Sequence, residues 1–192
     1  MRIRNACLKD ASKLLPIYAH YVKNTAITFE IEVPSIFEFE ERMVTVLKRY
    51  PYLVLEDENK IMGYAYASPL NSRQAYDWSC EISIYLDSSS TKKGYGRQLD
   101  QQMEMILKEM GILNIYACIA FPENEDEYLS KNSVEFHHHL GYQEAGVFHY
   151  CGYKFNRWYH IMWMEKIIGE KQLPMPKVLS YTQIKRDSMM EG

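Results

Sequence analysis

The chain has 192 residues, 47% of them hydrophobic and 24% charged, which is the size of one domain that needs no disulfide or metal staple. Its net charge of −3 argues against a general polyanion binder, so nucleic acid is not an expected partner. No apolar run reaches the ~18 residues of a membrane span, and the first residues, MRIRNACLKDASK, carry no signal-peptide core, so a cytoplasmic protein with no membrane partner is expected. The cysteines Cys7, Cys80, Cys118 and Cys151 lie far apart without a CxxC pair. That spacing disfavours structural zinc and predicts reduced, mostly buried thiols. Sixteen tyrosines and three tryptophans point either to an aromatic pocket or to half-buried strands.

In chain order, Met1–Cys7 alternates weakly and reads as a short strand. Asp10 is placed to cap a helix carrying Leu14, Leu15, Tyr18, Tyr21 and Val22, with Pro16 inside it. Asn24–Pro34 reads as a loop or arm. Ser35 and Glu38 form a capping box for a helix with Phe39, Met43, Val46, Leu47 and Tyr50 on one face. Tyr52–Glu56 and Ile61–Ala67 flank the polar turn Asp57–Lys60 and predict a hairpin. In Glu81–Leu86, Ile82, Ile84 and Leu86 alternate with Glu81, Ser83 and Tyr85. Gly94 and Gly96 lead into an amphipathic helix with Leu99, Met103, Ile106, Leu107 and Met110, closed by Gly111. Leu113–Phe121 reads as a buried strand ended by Pro122. The acidic run Glu123–Glu127 precedes a short helix around Ser133–Leu140, and Tyr142–Gly152 and Trp158–Ile167 close a mixed α/β domain over residues 1–168. Residues 169–192, with Pro174 and Pro176, read as an arm or flexible tail.

The run from Ile84 to Leu99 is a strand, a tight glycine turn and a helix start. Such a turn lets backbone amides approach an anion, and a diphosphate would fit there with Lys92, Lys93 and Arg97 adding charge. Neither GxGxxG nor GxxxxGK[ST] is present, because Leu99 stands where a third glycine would be. A helix entry that needs glycine for close packing explains the turn equally well. The triplet His137–His139 cannot converge on one metal ion, because consecutive helical residues diverge by ~100°.

The run Ile84–Leu99, followed after one helix by a buried strand and then Phe136-His-His-His-Leu-Gly-Tyr142, resembles the GNAT superfamily of N-acetyltransferases. More closely, it resembles the branch of phosphinothricin N-acetyltransferase. Ala75-Tyr-Asp-Trp-Ser-Cys-Glu-Ile-Ser-Ile-Tyr-Leu86, Thr28-Phe-Glu30, Tyr50-Pro-Tyr-Leu-Val54, Gly63-Tyr-Ala-Tyr-Ala67 and Gly152-Tyr-Lys…Trp158 match that branch in order, over about residues 1–167. The resemblance implies an acyl-CoA N-acyltransferase fold in which two central parallel strands splay apart around acetyl-CoA. It implies Ile84, Tyr85 and Leu86 along the pantetheine arm, and Lys92, Lys93, Gly94, Tyr95, Gly96 and Arg97 around the diphosphate. Thr91 stands where the family usually carries Gln or Arg. An Asn of related enzymes that contacts pantetheine corresponds to Asn124, Ser130 or Asn132, and Ser133 belongs with the coenzyme-binding group.

The attacking amine must lose a proton before it can react, and a carboxylate is the usual acceptor. The resemblance gives that role to Glu81, for which the bland alternative is a solvated strand-end carboxylate. It implies an N–H near Leu86 as oxyanion donor. His137 stands where most of the superfamily has a tyrosine acid, and either takes part in proton transfer or is structural. Arg73 could clamp a carboxylate, while Phe29, Tyr76 and Trp78 could wall the acceptor. His160 replaces the Asp of related enzymes. The expected acceptor is a small amino-acid-like amine of the phosphinothricin or methionine sulfone type. Alternatives are a polyamine or protein amine, in which case the acidic run would steer a cation, or a non-catalytic acyl-CoA-binding module. Family likeness also implies a homodimer.

Overall fold

The structure is a computed structural model that describes residues 1–90 and 93–184. Seven strands form one sheet: β1 (Arg2–Asn5), β2 (Tyr52–Asp57), β3 (Lys60–Pro69), β4 (Ser79–Leu86), β5 (Asn114–Phe121), β6 (Gln143–Lys154) and β7 (Arg157–Ile167). Their order is β1-β2-β3-β4-β5-β7-β6. Neighbours are antiparallel except β4 and β5, which run parallel. Four helices, α1 (Ala11–Asn24), α2 (Ile36–Leu47), α3 (Tyr95–Met110) and α4 (Asn132–His139), cover the sheet. Among the described residues no helix is long and apolar enough to cross a membrane.

Strand alternation sorts the core into two layers. Leu53 and Leu55 of β2, Ala65 of β3 and Cys80 and Ile82 of β4 pack with Leu99, Met103, Leu107 and Met110 of α3. Tyr52, Val54 and Tyr64, one residue out of phase, pack with Leu14, Tyr18 and Val22 of α1 and Phe39 and Met43 of α2. Each fully buried aliphatic side chain contributes about 1.5–3 kcal/mol. Six of the sixteen tyrosines pack in or against the second layer. Tyr52 and Tyr66 stack at 5.1 Å, Tyr64 and Tyr85 lie 5.4 Å apart, and Tyr18 and Tyr21 meet Tyr85 edge-on at 5.1 and 5.2 Å.

Local signals act as expected at several points. The Ser35 hydroxyl accepts from Glu38 N–H at 3.2 Å while Glu38 Oε2 accepts from Ser35 N–H at 2.7 Å, closing the capping box. Glu58 and Asn59 take φ of 48° and 63° in the β2–β3 turn, as a two-residue hairpin with right-handed strand twist requires. Pro16 sits on the exposed side of α1, where water can reach the carbonyl its missing N–H leaves unpaired. Asp10 stands at the N-cap position of α1, but its side chain makes no capping bond there. Its carboxylate is held by both Arg4 nitrogens at 2.7 and 2.8 Å and by Cys7 N–H at 2.8 Å, and it lies below the usual carboxylate range, at about 2, chiefly because of Arg4.

The expectation of mostly buried thiols needs correction. Of the four thiols only Cys80 is buried, whereas Cys7, Cys118 and Cys151 are exposed. Cys118 lies open because its strand loses its β4 neighbour there. Residues 169–184 run back over the domain: Pro176 carbonyl accepts from the Trp78 indole at 2.9 Å, Leu179 N–H donates to Met110 carbonyl at 2.9 Å, and Val178 and Tyr181 enter the α3 core layer. Residues 185–192 lie outside the described part.

Candidate active site

The parallel ladder between β4 and β5 holds only for Ser79↔Asn114, Cys80↔Ile115 and Glu81↔Tyr116. Beyond Glu81 the strands diverge. Asp87 N–H still bonds Met62 carbonyl on the β3 side at 2.9 Å, so by alternation the backbone groups of Ile84 and Leu86 face the gap. Tyr21 reaches into it from α1: its hydroxyl donates to Leu86 carbonyl at 2.7 Å and accepts from Leu86 N–H at 3.2 Å. Burial raises the Tyr21 phenol, which keeps the proton on the oxygen. The Leu86 N–H expected to be available for an oxyanion is therefore already engaged by Tyr21.

Two clefts open on the gap. The larger, about 400 Å³, is bounded by Leu86, Ser88 and Gly96 on one side, by Ser130, Asn132, Ser133 and Phe136 on another, and by His20, Tyr21, Thr25 and Ile27 on the third. The smaller, about 80 Å³, lies between Ile82–Tyr85 of β4 and Ala117–Ala120 of β5. Ile27, Ile84, Ser133 and His137 line both.

Glu81 stands at the vertex of the divergence, one residue below the first β4 residue of the smaller cleft. Its carboxyl is raised above the usual range by burial, and it has no ion pair among the described residues. Cys118, Tyr66 and Tyr85 are near enough to feel its charge. His137 has its Nδ1 2.7 Å from Ser133 carbonyl, which fixes the proton on Nδ1 and leaves Nε2 as the acceptor. Burial lowers its pKa, so the ring is neutral at pH 7.

α3 begins at Gly94, with φ of +80°, and its first helical bond runs from Gln98 N–H to Gly94 carbonyl. The N–H groups of Tyr95, Gly96 and Arg97 precede that bond and face outward from the helix end. A Cβ on Gly96 would stand 3.0 Å from the Phe136 ring, so any other residue would press that ring at this wall of the larger cleft.

Residues 3–163 match the family described as Acetyltransferase (GNAT) domain. The chain belongs to this family. It is 28% identical to a phosphinothricin N-acetyltransferase of Streptomyces viridochromogenes, over 92% of this chain and 91% of the relative. It is 26% identical to an L-methionine sulfoximine/L-methionine sulfone acetyltransferase of Salmonella typhimurium, over 91% and 98%. Its structure superimposes with a TM-score of 0.83 and 30% identity on a GNAT superfamily phosphinothricin acetyltransferase from Sinorhizobium meliloti in complex with acetyl-CoA, covering 92% of each chain. The protein is thus an acetyl-CoA-dependent N-acetyltransferase with the mixed α/β GNAT fold. The glycine-walled larger cleft, ending at outward N–H groups of a 16-residue helix, suits an elongated ligand with a diphosphate.

Of the residues expected around the coenzyme, Ile84, Leu86, Gly96, Ser130, Asn132 and Ser133 line the larger cleft. Tyr85 lines only the smaller one, because alternation turns it to the other face. Tyr95 is turned away, its hydroxyl donating to Asp57 at 2.7 Å and tying the turn to the β2–β3 hairpin. Arg97 lines a separate groove with Asp100 and Lys166. Lys93 and Asn124 are exposed outside both clefts, and Lys92 lies outside the described residues. His138 and His139 turn to Glu144 and to Glu135 carbonyl, away from His137. His160 is buried, its Nδ1 accepting Tyr150 N–H at 2.8 Å.

The expected acceptor wall does not assemble as read. Trp78 packs in the α3 core layer and gives its N–H to Pro176. Arg73 and Tyr76 are exposed on a turn away from both clefts. Phe29 lies in a small core with Ala26, Ala120, Leu129 and Tyr159. Tyr21, Ile27, Ser88 and Cys118 were not singled out as site residues by the sequence. For Tyr21 the only signal was its place on the apolar face of α1. Ile27 carried none beyond being apolar in a loop.

Proposed function

We propose that the enzyme acetylates the primary amine of a small amino-acid-like acceptor, with acetyl-CoA in the larger cleft and Glu81 as general base. The observation that carries this reading is Glu81 itself: a half-buried carboxylate without an ion-pair partner among the described residues, at the vertex where the two parallel strands part. Burial moves its pKa toward neutrality, which suits a group that must take a proton from an ammonium and remain ionised at working pH. The coenzyme supplies a thioester carbonyl whose C–S bond breaks as the amine nitrogen forms the new C–N bond. Glu81 takes the proton that the ammonium must release. Tyr21 fixes the end of β4 through both Leu86 backbone atoms. His137 Nε2 is an unprotonated acceptor shared by the two clefts, able to hold a proton in transit to the sulfur. The amino-acid-like acceptor is supported by the names of the relatives, which act on phosphinothricin and methionine sulfoximine or sulfone.

The polyamine or protein-amine alternative needs free acidic groups to steer a cation. The acidic run is instead engaged within the fold. Glu123 accepts from Tyr150 hydroxyl at 2.9 Å, Glu125 from Lys131 N–H at 2.7 Å, and Asp126 from Tyr128 and Leu129 N–H at 2.8 and 2.9 Å. Glu127 is gripped by both Arg157 nitrogens at 2.8 and 2.9 Å.

The test is acetyl transfer to a panel of amino acids, sulfoximines, polyamines and peptides, with Glu81→Gln alongside. Loss of a positioned base lowers kcat/KM about 10²–10⁴-fold and removes the acid limb of its pH profile. Unchanged kcat/KM and profile would discard Glu81 as the base, and preference for polyamines or peptides would discard the acceptor class.

A further inference from the structure

Of the four residues that line both clefts, Ile84 belongs to β4 and Ser133 and His137 to α4. Ile27 alone comes from the arm between α1 and α2. It is 38% exposed, yet the chain on either side of it is fixed. Ala26 is fully buried and its N–H donates to Tyr128 carbonyl at 3.0 Å. Thr28 carbonyl accepts from the buried Lys154 Nζ at 2.8 Å, and Thr28 hydroxyl lies 3.2 Å from the Tyr18 hydroxyl. Phe29 is seated directly on Gly152, where a Cβ would come within 2.0 Å of the ring. An isoleucine pinned from both sides but left partly in the open contributes little as core.

We propose that Ile27 limits the length of the acyl group that the enzyme accepts, closing the passage from the larger cleft into the smaller so that acetyl fits and longer chains collide. The inference rests on the reading of the larger cleft as the acyl-CoA channel. The reacting carbonyl must then lie where the clefts meet, and the acyl chain beyond it has only the smaller cleft, about 80 Å³, to enter. A β-branched side chain is stiff at χ1, and the anchors at Ala26 and Thr28 keep the backbone from yielding. The stop is therefore rigid. Discrimination of one methylene in an apolar pocket is worth roughly 10–200-fold, which is the scale of selectivity one such side chain can set.

The experiment compares binding of acetyl-, propionyl- and butyryl-CoA by titration calorimetry in the wild type, Ile27→Ala, Ile27→Val and Asn132→Trp, with acyl transfer as a second readout. The expected result is that Ile27→Ala lowers the butyryl-to-acetyl ratio of Kd about tenfold or more, with Ile27→Val between it and the wild type. Asn132→Trp, which fills the larger cleft from an exposed position, weakens all three ligands together. If Asn132→Trp weakens binding but both Ile27 variants keep the wild-type ratio, the channel stands and the acyl-length role of Ile27 is wrong. If Asn132→Trp leaves all three ligands bound as before, the channel reading fails and the proposal falls with it. The position of Ile27 at the surface makes unfolding of its variants an unexpected outcome, and melting temperatures check it.

Discussion

The two clefts are built in different ways. The larger is bounded by three separate stretches: the end of β4 with the turn into α3, the start of α4 with the residues before it, and His20 to Ile27 of α1 and the arm. Its defining constraint is one glycine against one ring, Gly96 against Phe136. The smaller is closed by an arm held from far away. Lys154 reaches Thr28 across 126 positions, and Gly152 leaves room for Phe29. The difference implies that binding of the body of the coenzyme should be robust to changes in the β6–β7 hairpin, while the fit of the acyl group in the smaller cleft should not.

The harshest way to break that contrast is Gly152→Ala. The added Cβ would meet Phe29 Cε2, Cζ and Cδ2 at 2.0, 2.3 and 2.5 Å, so the ring and the arm must move. Overpacking of this kind costs about 1–3 kcal/mol, and the closeness of the contact places this substitution near 3. Urea unfolding should show the loss, and the butyryl-to-acetyl ratio of Kd should change more than acetyl-CoA Kd itself. A weakened acetyl-CoA Kd with an unchanged ratio would mean that the arm supports the larger cleft and not the smaller.

A control for the contrast lies behind the coenzyme side, where Asp100 is buried and bonded by the Tyr142 hydroxyl at 2.9 Å, with Oδ2 unpartnered among the described residues. Burial raises its carboxyl to about 6 from the ordinary 3.8. A raised carboxyl pKa means that the folded protein keeps a proton the unfolded chain has lost. The associated stability is greatest below about pH 4 and is lost as pH rises through 6. Asp100→Asn keeps the Tyr142 bond without the charge. It should match the wild type below about pH 3 and exceed it by about 3 kcal/mol at pH 8, at ~1.4 kcal/mol per pKa unit. A stability difference that does not change with pH would show that Asp100 ionises normally. Lys166, already bonded to Glu104 at 2.6 Å, and Arg97 are the charges nearest that groove.

Much of the coenzyme side was legible because its signals are local. The glycine turn, the capping box at Ser35, the alternation along Glu81–Leu86 and the hairpin at Glu58–Asn59 each depend on residues a few positions apart. The acceptor side was not. A loop rich in Arg, Tyr and Trp reads as a recognition surface, yet Trp78 found its partner in the carbonyl of Pro176, 98 positions on. Tyr21 bonds Leu86 from 65 positions away. Single polar contacts between distant segments impose no period and no composition, so nothing in a linear reading distinguishes them. Pro174 and Pro176 likewise suggested a tail without saying that Val178 would be buried.

Lys154→Met probes the contrast with the smallest expected change in stability. Lys154 is 3% exposed, and its ammonium sits 5.1 Å from the centre of the Phe155 ring. Its burial lowers its pKa, which means that holding the charge there opposes folding. Methionine removes a charged hydrogen bond to Thr28 carbonyl, a loss of about 1.5–3 kcal/mol. It also removes the desolvation of the ammonium, and its flexible thioether fills much of the same volume. The two effects offset, leaving a net change within about 1 kcal/mol. The arm, no longer tied at Thr28, should then let Ile27 move while the sheet stays intact. A near-normal melting temperature with a raised acceptor KM and weakened acyl-length selectivity would assign the latch to this one bond. A normal KM and selectivity would shift the anchoring to Phe29 on Gly152 and Ala26 on Tyr128, whereas a large drop in melting temperature would mean that the ammonium stabilises the fold through more than the arm.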